Sequence, residues 1–376
     1  LVRYGSKWCA KGFGPVDFAL SSSGLWRTFS SQLHTLSATD QSGTATVLPV
    51  SIVAPPRNER AFRAIQLPNG MLALLASDPA ADTAAAAVSL ACGSLHDPDE
   101  LLGLAHFHEH MLFLGTERFP GEDEYNRFLS AHGGHSNAYT MGEFTTYHFT
   151  VGSEFLRGAL DRFSAFFVCP TFDPSALERE MLAVNSESAN YSTDDAWRVL
   201  HVLKATTSKL HPFHRFEVGN AGTLGAEAPL ATRDALLKWN ESHYQAGAMR
   251  LAVVGKEGLD ELQEMVQNLF GPVRDGAGQP TQHDVPAWPQ EQLGRYFSIV
   301  PVQEGRTLTV YWPLPARSLH RFDKPELYIA HILGHEAEGS LHHALSSCGW
   351  VDQLSAGPSH EFADCHLFAM TLSLTP

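Results

Sequence analysis

The sequence has few of the features that identify several large protein classes. Its cysteines include no Cys-x-x-Cys pair and are five in number: Cys9, Cys92, Cys169, Cys348 and Cys365. So odd and scattered a set predicts a reducing compartment and no disulfide framework. Basic residues are outnumbered, 26 against 41 acidic ones, for a net charge of −15. Because a nucleic-acid-binding protein needs a basic face, we expect no nucleic-acid partner. No apolar run approaches the roughly 20 residues of a membrane helix, so we expect no membrane partner.

The chain has the composition and length of a globular protein. Hydrophobic residues make up 44% of its 376 residues, enough for two domains with cores of their own. The first 51 residues are rich in Ser and carry four basic side chains against two acidic ones. That composition is typical of an organelle transit peptide. We predict a leader or a disordered extension over residues 1–51, and a cytoplasmic location with mitochondrial or plastid import as the alternative.

One helical stretch, Leu101 to Thr116, contains the order His-x-x-Glu-His. At about 100° per residue, Glu109 and His110 fall roughly 60° and 40° to either side of His106, so the three share a face. His108 points the opposite way. Two neutral imidazoles on one turn are a common contribution to a Zn²⁺ site, and this order is the inverted form of the common zinc-protease signature.

The flanking residues predict that this helix is buried, because they are apolar nearly all round. A buried carboxylate between two imidazoles costs several kcal/mol without a partner, and a metal ion is the simplest compensation. A catalytic zinc site also needs a third protein ligand. Glu180 and Glu187 lie seven residues apart on a helix that opens at Asp173-Pro174, and therefore share a face. Spacing alone leaves both open as the third ligand.

Turn signals and periodicity predict the elements around this helix. Pro68-Asn69-Gly70 predicts a hairpin. Residues 273–293 are rich in Gly, Pro and Gln and predict a linker. Beyond it, the pattern predicts strands over Tyr296 to Val302 and Thr307 to Trp312, and a long helix from about Pro325.

Several ordered segments together resemble the pitrilysin family of zinc peptidases, and within it the insulysin and nardilysin branch. The resemblance covers residues 52–376. The segments that carry it are Gly103 to Thr116, Phe128 to Ala138, Ala159 to Phe163, Asp195 to Arg198, His211-Pro212-Phe213, Gly219-Asn220, Leu333 to Glu336, Gly339-Ser340 and Gly349-Trp350-Val351.

The resemblance implies an α+β fold of repeated units, each a mainly antiparallel mixed sheet with helices packed on one face. It implies a first domain over 52–278 that carries the zinc site and a second, truncated one over 290–376. It also implies one Zn²⁺ held by His106, His110 and Glu187, since the family's third ligand is the glutamate of a Ser-Glu pair. Glu180 matches an acidic residue that orients a ligand, and Glu109 is the general base.

For substrate, the resemblance implies a peptide bound as an added strand along a sheet edge. The residues on that edge are Asn137 and Ala138. The residues near the substrate side chain at the cleaved peptide bond are Phe113, Tyr139 and Trp197. A further site that anchors a peptide's N-terminus is implied at His335 and Glu336.

We therefore expect a zinc-dependent endopeptidase acting on short to medium-length peptides. The resemblance also implies a C-terminal half as a partner, which we expect to be missing from this chain. Three alternatives stay open: a catalytically incomplete fragment, a non-catalytic family member that serves as a binding scaffold, and a processing-peptidase-like enzyme that cleaves presequences. His108 occupies a position where relatives usually have a small or apolar residue. We expect its ring to pack in the interior and not to bind metal. The sequence does not predict an oligomeric state.

Overall fold

The structure is a computed structural model that describes residues 44–278, 283–303, 305–316 and 323–376. Most of the predicted leader, residues 1–43, therefore lies outside the described residues. A first sheet of seven strands organises the larger part of the chain. Its strands are β1 (Thr46–Val47), β2 (Ala61–Gln66), β3 (Leu72–Ser77), β4 (Thr83–Leu90), β5 (His135–Thr140), β6 (Thr145–Gly152) and β7 (Met249–Gly255).

The first sheet is mixed and mainly antiparallel. Its strand order is β1-β2-β3-β7-β4-β6-β5, and only the β3–β7 pairing is parallel. The predicted hairpin joins β2 to β3. The alternation of buried and half-buried residues in β7 is that of a strand with one face on the core. The strand β5 lies at one edge of the sheet, and its recorded pairing is with β6.

Seven helices accompany this sheet in the described residues. They are α1 (Leu104–Leu112), α2 (Glu124–Ala131), α3 (Leu156–Val168), α4 (Pro174–Tyr191), α5 (Asp195–Ala205), α6 (Pro229–His243) and α7 (Leu259–Phe270). One large hydrophobic core joins side chains of β3, β4, β6 and β7 to those of α1, α3, α4, α6 and α7. The predicted α+β class, a mainly antiparallel mixed sheet with packed helices, is confirmed.

The motif helix α1 is shorter than the predicted span of residues 101–116. Its start is fixed by Gly103, which has φ +92° and lies so close to Gly219 that a Cβ would come within 2.2 Å of the Gly219 Cα. The Asp97 carboxylate accepts hydrogen bonds from the N–H groups of Gly103 (2.7 Å) and Ala105 (2.8 Å). The helix ends before a turn in which Gly115 has φ +106°. Gly103 and the Asp97 cap therefore set the start of the helix, and the turn at Gly115 follows its end. The apolar pattern alone predicts a longer helix in both directions.

A second sheet lies in the C-terminal part of the chain, with antiparallel strand order β8-β10-β9. Its strands are β8 (Thr307–Pro315), β9 (Val351–Glu361) and β10 (Cys365–Leu374), and its helices are α8 (Pro325–Leu333) and α9 (Leu341–Ser347). Within the described ranges, no helix combines the length and apolar character that crossing a membrane requires.

Three predictions outside the motif need correction. The predicted long helix from Pro325 is two short ones, separated by a segment in which Gly339 has φ +86°. The predicted strand over Tyr296 to Val302 is absent; the Asp195 carboxylate instead accepts hydrogen bonds from the Val302 and Gln303 N–H groups at 2.9 Å and 3.0 Å.

The third correction concerns the predicted leader over residues 1–51. Strand β1 already pairs with β2, and Leu48 is 7% exposed in a small cluster with Ala64 and Leu72. Residues 46–48, within the span predicted as a leader, therefore pair and pack with the first sheet. Composition could not reveal this, because a two-residue edge strand leaves almost no periodic signal.

Candidate metal centre

The His106 and His110 side chains are oriented by hydrogen bonds at the ring nitrogen that faces away from the site. The His106 Nδ1–H donates to the carbonyl oxygen of Val218 at 2.7 Å. The His110 Nδ1–H donates to Oε1 of Glu180, also at 2.7 Å. Because a carbonyl and a carboxylate can only accept, both rings carry their hydrogen on Nδ1 when neutral. Both Nε2 atoms then present a lone pair, which is the form that binds a metal.

The two Nε2 atoms and one carboxylate oxygen form a compact triangle. His106 Nε2 lies 3.2 Å from His110 Nε2, and Oε2 of Glu187 lies 3.6 Å and 3.5 Å from these two atoms. Ligand atoms around a tetrahedral zinc ion with bonds of about 2.0–2.1 Å are roughly 3.3 Å apart. The three donors therefore fit a zinc-sized ion with little rearrangement, and their N, N, O chemistry suits it.

The electrostatics of the triangle favour a cation. Burial alone would lower the pKa of His110, but the hydrogen bonds to Glu180 and Glu187 outweigh it and raise the pKa to about 10. The hydrogen bond with His110 lowers the pKa of Glu187 to about 2, against the opposing effect of burial and with a further contribution from the Tyr191 hydroxyl. The nearby carboxylates therefore make the electrostatic potential negative at this point, which favours the binding of a divalent cation.

Glu109, the predicted general base, is buried beside the triangle. It is 7% exposed, and its Oε2 accepts a hydrogen bond from the Thr140 hydroxyl at 2.5 Å. Burial raises the pKa of Glu109, while the charges of His106 and His110 and the Thr140 hydrogen bond act against the rise. A carboxyl group whose pKa is raised is a better proton acceptor and donor near neutral pH.

The third predicted ligand, Glu187, is also held by a tyrosine one helical turn further on. The Tyr191 hydroxyl donates a short hydrogen bond to Oε1 of Glu187. The Tyr191 ring stacks on Trp197, with ring centroids 4.1 Å apart and planes at 19°. Burial and the neighbouring Glu187 carboxylate raise the pKa of Tyr191, so its hydroxyl stays protonated at neutral pH.

The remaining histidine of the motif lies on the other side of α1. His108 is wholly buried, between the rings of Phe172 (5.0 Å between centroids) and Tyr244 (4.2 Å). Its Nε2 lies 3.2 Å from the Asn240 amide nitrogen, which donates to it. Burial lowers the pKa of His108 to about 3, so the ring is neutral and packs in the core.

The predicted edge residues lie on the edge strand. Asn137 is exposed and Ala138 half-buried on β5, and the same strand supplies Thr140 to the general base. Tyr139 is 45% exposed, with its ring edge-to-face against Phe144 at 6.1 Å. The last residue of this edge strand, Thr140, is therefore in direct contact with Glu109.

The other predicted substrate residues lie in three different settings. Phe113 is half-buried and packs on core rings, Phe166 at 5.2 Å and Tyr125 at 6.2 Å between centroids. Trp197 belongs to the aromatic stack beside Glu187. His335 and Glu336 are exposed just after α8, in the part of the chain that carries the second sheet. Trp197 stacks on Tyr191, the hydrogen-bond partner of Glu187, and Phe113 has a core environment.

A second group of two histidines and a carboxylate lies where the second sheet meets the first part of the chain. His211, His283 and Asp364 have ligand atoms within 4.8 Å of one another. His211 Nε2 is 3.8 Å from Oδ2 of Asp364, and the His283 Nε2–H donates to Oε1 of Glu143 at 3.1 Å. The backbone N–H of Phe213 donates to Nδ1 of His211 at 3.2 Å. Sequence analysis did not single out this group.

Three contacts at the triangle were also missed from the sequence. Tyr191 lies four residues after Glu187 on one helix, a spacing that signals a shared face. Thr140 closes the segment assigned to the sheet edge, but nothing in the pattern ties it to Glu109. The Val218 acceptor is a backbone carbonyl, which no side-chain pattern reveals.

Two family models match the chain. The model described as "Insulinase (Peptidase family M16)" matches residues 72–216, which include the triangle. The model described as "Peptidase M16 inactive domain" matches residues 231–376.

Named relatives match over most of the chain. The A-factor-processing enzyme of Saccharomyces cerevisiae is 40% identical over 329 residues, which cover 87% of this chain and 32% of the relative. The insulin-degrading enzyme of Homo sapiens is 40% identical over 327 residues, which cover 86% of this chain and 32% of the relative. The chain thus spans about a third of the length of these relatives. A crystal structure of pitrilysin matches with a TM-score of 0.82 and 30% identity, over 88% of this chain and 36% of that one.

Proposed function

Because the chain belongs to the insulinase family of peptidases, family M16, we propose that it carries the zinc centre of an endopeptidase that hydrolyses short to medium-length peptides. The observation that supports this most strongly is the orientation of two histidine rings. His106 and His110 each donate from Nδ1 to a fixed acceptor and turn Nε2 towards Oε2 of Glu187. Hydrogen bonds of this kind are typical of metal-ligating histidines.

The residues of the triangle and the neighbouring Glu109 have separate roles in hydrolysis. His106, His110 and Glu187 would hold the ion, which when bound would supply Lewis acidity to polarise the scissile carbonyl and to make water easier to deprotonate. Glu109 accepts a proton from the attacking water and donates it to the leaving amine. Thr140 donates to Oε2 of Glu109, which orients the carboxylate and leaves Oε1 for the proton.

We place the substrate along β5 as an added strand. This edge strand carries Asn137 and Ala138 and leads to Thr140, the hydrogen-bond partner of the base. Tyr139 and Trp197 are the aromatic side chains available near the cut. Replacing alternate backbone N–H groups of a peptide by N-methyl should raise KM with a period of two residues, because every second N–H of an added strand bonds to the edge. Equal effects at all positions would argue against this binding mode.

An incomplete catalytic unit is the second candidate. The chain spans about a third of the length of its relatives, and α8 exposes Leu327, Tyr328, Ile329 and Ile332 by 42% to 71%. Apolar side chains this exposed on one helix are typical of an interaction surface. This chain would then bind zinc and peptide and turn over slowly until the rest of the enzyme is present.

Cleavage of an internally quenched fluorogenic peptide tests the proposal. We expect hydrolysis that a chelator abolishes and that stoichiometric Zn²⁺ restores, both in this chain and in a longer version. Zinc uptake with turnover only in the longer version would favour the incomplete unit. Hydrolysis that survives complete zinc removal would contradict a zinc peptidase.

A further inference from the structure

The two oxygens of the Glu187 carboxylate have different partners. Oε2 faces the histidine rings, 3.6 Å from His106 Nε2 and 3.5 Å from His110 Nε2. Oε1 accepts the hydrogen bond from the Tyr191 hydroxyl. Oε2 is therefore available to bind an ion, whereas Oε1 already accepts a hydrogen bond.

The donor itself is held in place. Tyr191 is the last residue of α4, one turn after Glu187, and its ring is stacked on Trp197. Trp197 in turn lies in the first turn of α5, where the Asp194 carboxylate accepts hydrogen bonds from the N–H groups of Ala196 (2.8 Å) and Trp197 (3.2 Å). The first turn of α5 therefore holds the Tyr191 side chain in place at the C-terminal end of α4.

A carboxylate can bind a metal through one oxygen or through both, and the choice matters for catalysis. A catalytic zinc ion has three protein ligands and keeps its fourth position open. A second oxygen from Glu187 would compete for that position. A phenol that donates to an anionic oxygen forms a strong, charge-assisted hydrogen bond, which draws electron density from that oxygen and weakens it as a second metal ligand.

On the proposed function as a premise, we propose that Tyr191 is a positioning residue that restricts Glu187 to one-oxygen coordination and so keeps a ligand position open for the reaction. Tyr191 acts through Glu187 and does not itself bind the ion. Trp197 contributes by fixing the Tyr191 ring.

Cobalt substitution tests this assignment without relying on activity. Four-coordinate Co²⁺ absorbs visible light more strongly than five-coordinate Co²⁺, so the spectrum reports whether Glu187 binds through one oxygen or two. The variant Tyr191→Phe removes the hydroxyl and retains the ring that stacks on Trp197. We expect the visible absorption of its Co²⁺ form to fall below that of the unmodified chain. In the Zn²⁺ form, we expect kcat to fall roughly 10- to 100-fold with KM little changed.

The matched control is Tyr296→Phe, at a residue that is 81% exposed; it should change neither the spectrum nor kcat. Identical Co²⁺ spectra for Tyr191→Phe and the unmodified chain would overturn the role of Tyr191 and leave the zinc centre standing. Failure of the unmodified chain to take up Co²⁺ or Zn²⁺ would overturn the metal centre itself, and the role of Tyr191 with it.

Discussion

Two groups in this molecule have the same composition, two histidines and one carboxylate, and differ in where the ring hydrogens lie. At the triangle, both Nδ1–H groups donate outward, to Val218 and to Glu180, and both Nε2 atoms of the neutral rings offer lone pairs. At the second group, Nδ1 of His211 instead accepts the N–H of Phe213. The neutral His211 ring then carries its hydrogen on Nε2, the atom that faces the carboxylate.

The distances agree with this difference. The triangle spans 3.2 Å to 3.6 Å between ligand atoms, whereas His211 Nε2 and Oδ2 of Asp364 are 3.8 Å apart. His211 is wholly buried, and its Nε2 has no hydrogen-bond partner among the described residues. Histidines and a carboxylate in proximity therefore do not make a metal site by themselves. The hydrogen-bond partner on the far side of each ring, an acceptor at His106 and His110 and a donor at His211, decides which nitrogen presents a lone pair. We expect one zinc ion per chain, at the triangle.

Removing one ring from each group is the strongest way to break this comparison. His110→Ala deletes a ligand, so we expect zinc content to fall from about one ion per chain to about 0.1 or less, and peptidase activity to fall to background. His211→Gln should leave the zinc content unchanged, because its ring does not present a lone pair to an ion. Elemental analysis of the purified chains gives both numbers. Loss of zinc in the His211 variant alone would reverse the assignment.

Glu109→Gln separates metal binding from proton transfer at the triangle. The amide has nearly the same shape but cannot accept the proton of water, so we expect kcat to fall about 10²- to 10⁴-fold with zinc retained at about one ion per chain. Glu117→Gln, an exposed residue beyond the same helix, is the control and should keep full activity. Turnover in the Glu109 variant equal to that of the control would remove Glu109 from the mechanism.

Glu180→Gln tests whether the outward hydrogen bond matters, which is the basis of the comparison. Without the carboxylate, the Nδ1–H of His110 loses its charged acceptor, and we expect zinc affinity to weaken roughly 10- to 100-fold. Competition with a chromogenic chelator measures the change. Glu178→Gln, exposed on the same helix, should bind zinc as tightly as the unmodified chain does. An unchanged affinity in the Glu180 variant would show that ring orientation is fixed in some other way.

His108 gives the smallest expected effect and tests a ring that binds no metal. Burial lowers its pKa to about 3, against about 6.5 when unfolded. Between those two values the unfolded chain binds a proton that the folded chain does not, so this residue makes the free energy of unfolding decrease as the pH falls. The loss is about 1.4 kcal/mol per pH unit from this one group.

His108→Phe should therefore reduce the loss of thermal stability between pH 6.5 and pH 5, because phenylalanine fills the same space between Phe172 and Tyr244 and does not titrate. His331→Phe, at an exposed residue, should keep the original acid sensitivity. Thermal unfolding at the two pH values measures both, and equal acid sensitivity in the two variants would contradict a buried neutral His108.

The sequence was most informative where chemistry is local. The shared face of His106, Glu109 and His110 follows from spacing alone, and the same helical period brings Glu180 and Glu187 to one side of α4. The choice of Glu187 as the third ligand came from the family resemblance, and the structure brings its Oε2 to the two rings.

The sequence was least informative where tertiary contacts decide. His211 and Asp364 are more than 150 residues apart, and only folding brings them together. The predicted strand at Tyr296 to Val302 has suitable residues, but the Val302 N–H donates to the Asp195 side chain and the Val300 carbonyl accepts from Arg198, so these groups do not bond to a neighbouring strand. Strand-pairing partners, like the acceptors of the His106 and His110 rings, are residues distant in the sequence.

The most direct test of the central claim is the position of the metal in crystals of the zinc-loaded chain, measured by anomalous scattering at the zinc absorption edge. We predict one peak, about 2.0–2.2 Å from His106 Nε2, His110 Nε2 and Oε2 of Glu187. A peak among His211, His283 and Asp364 with none at the triangle would contradict the account.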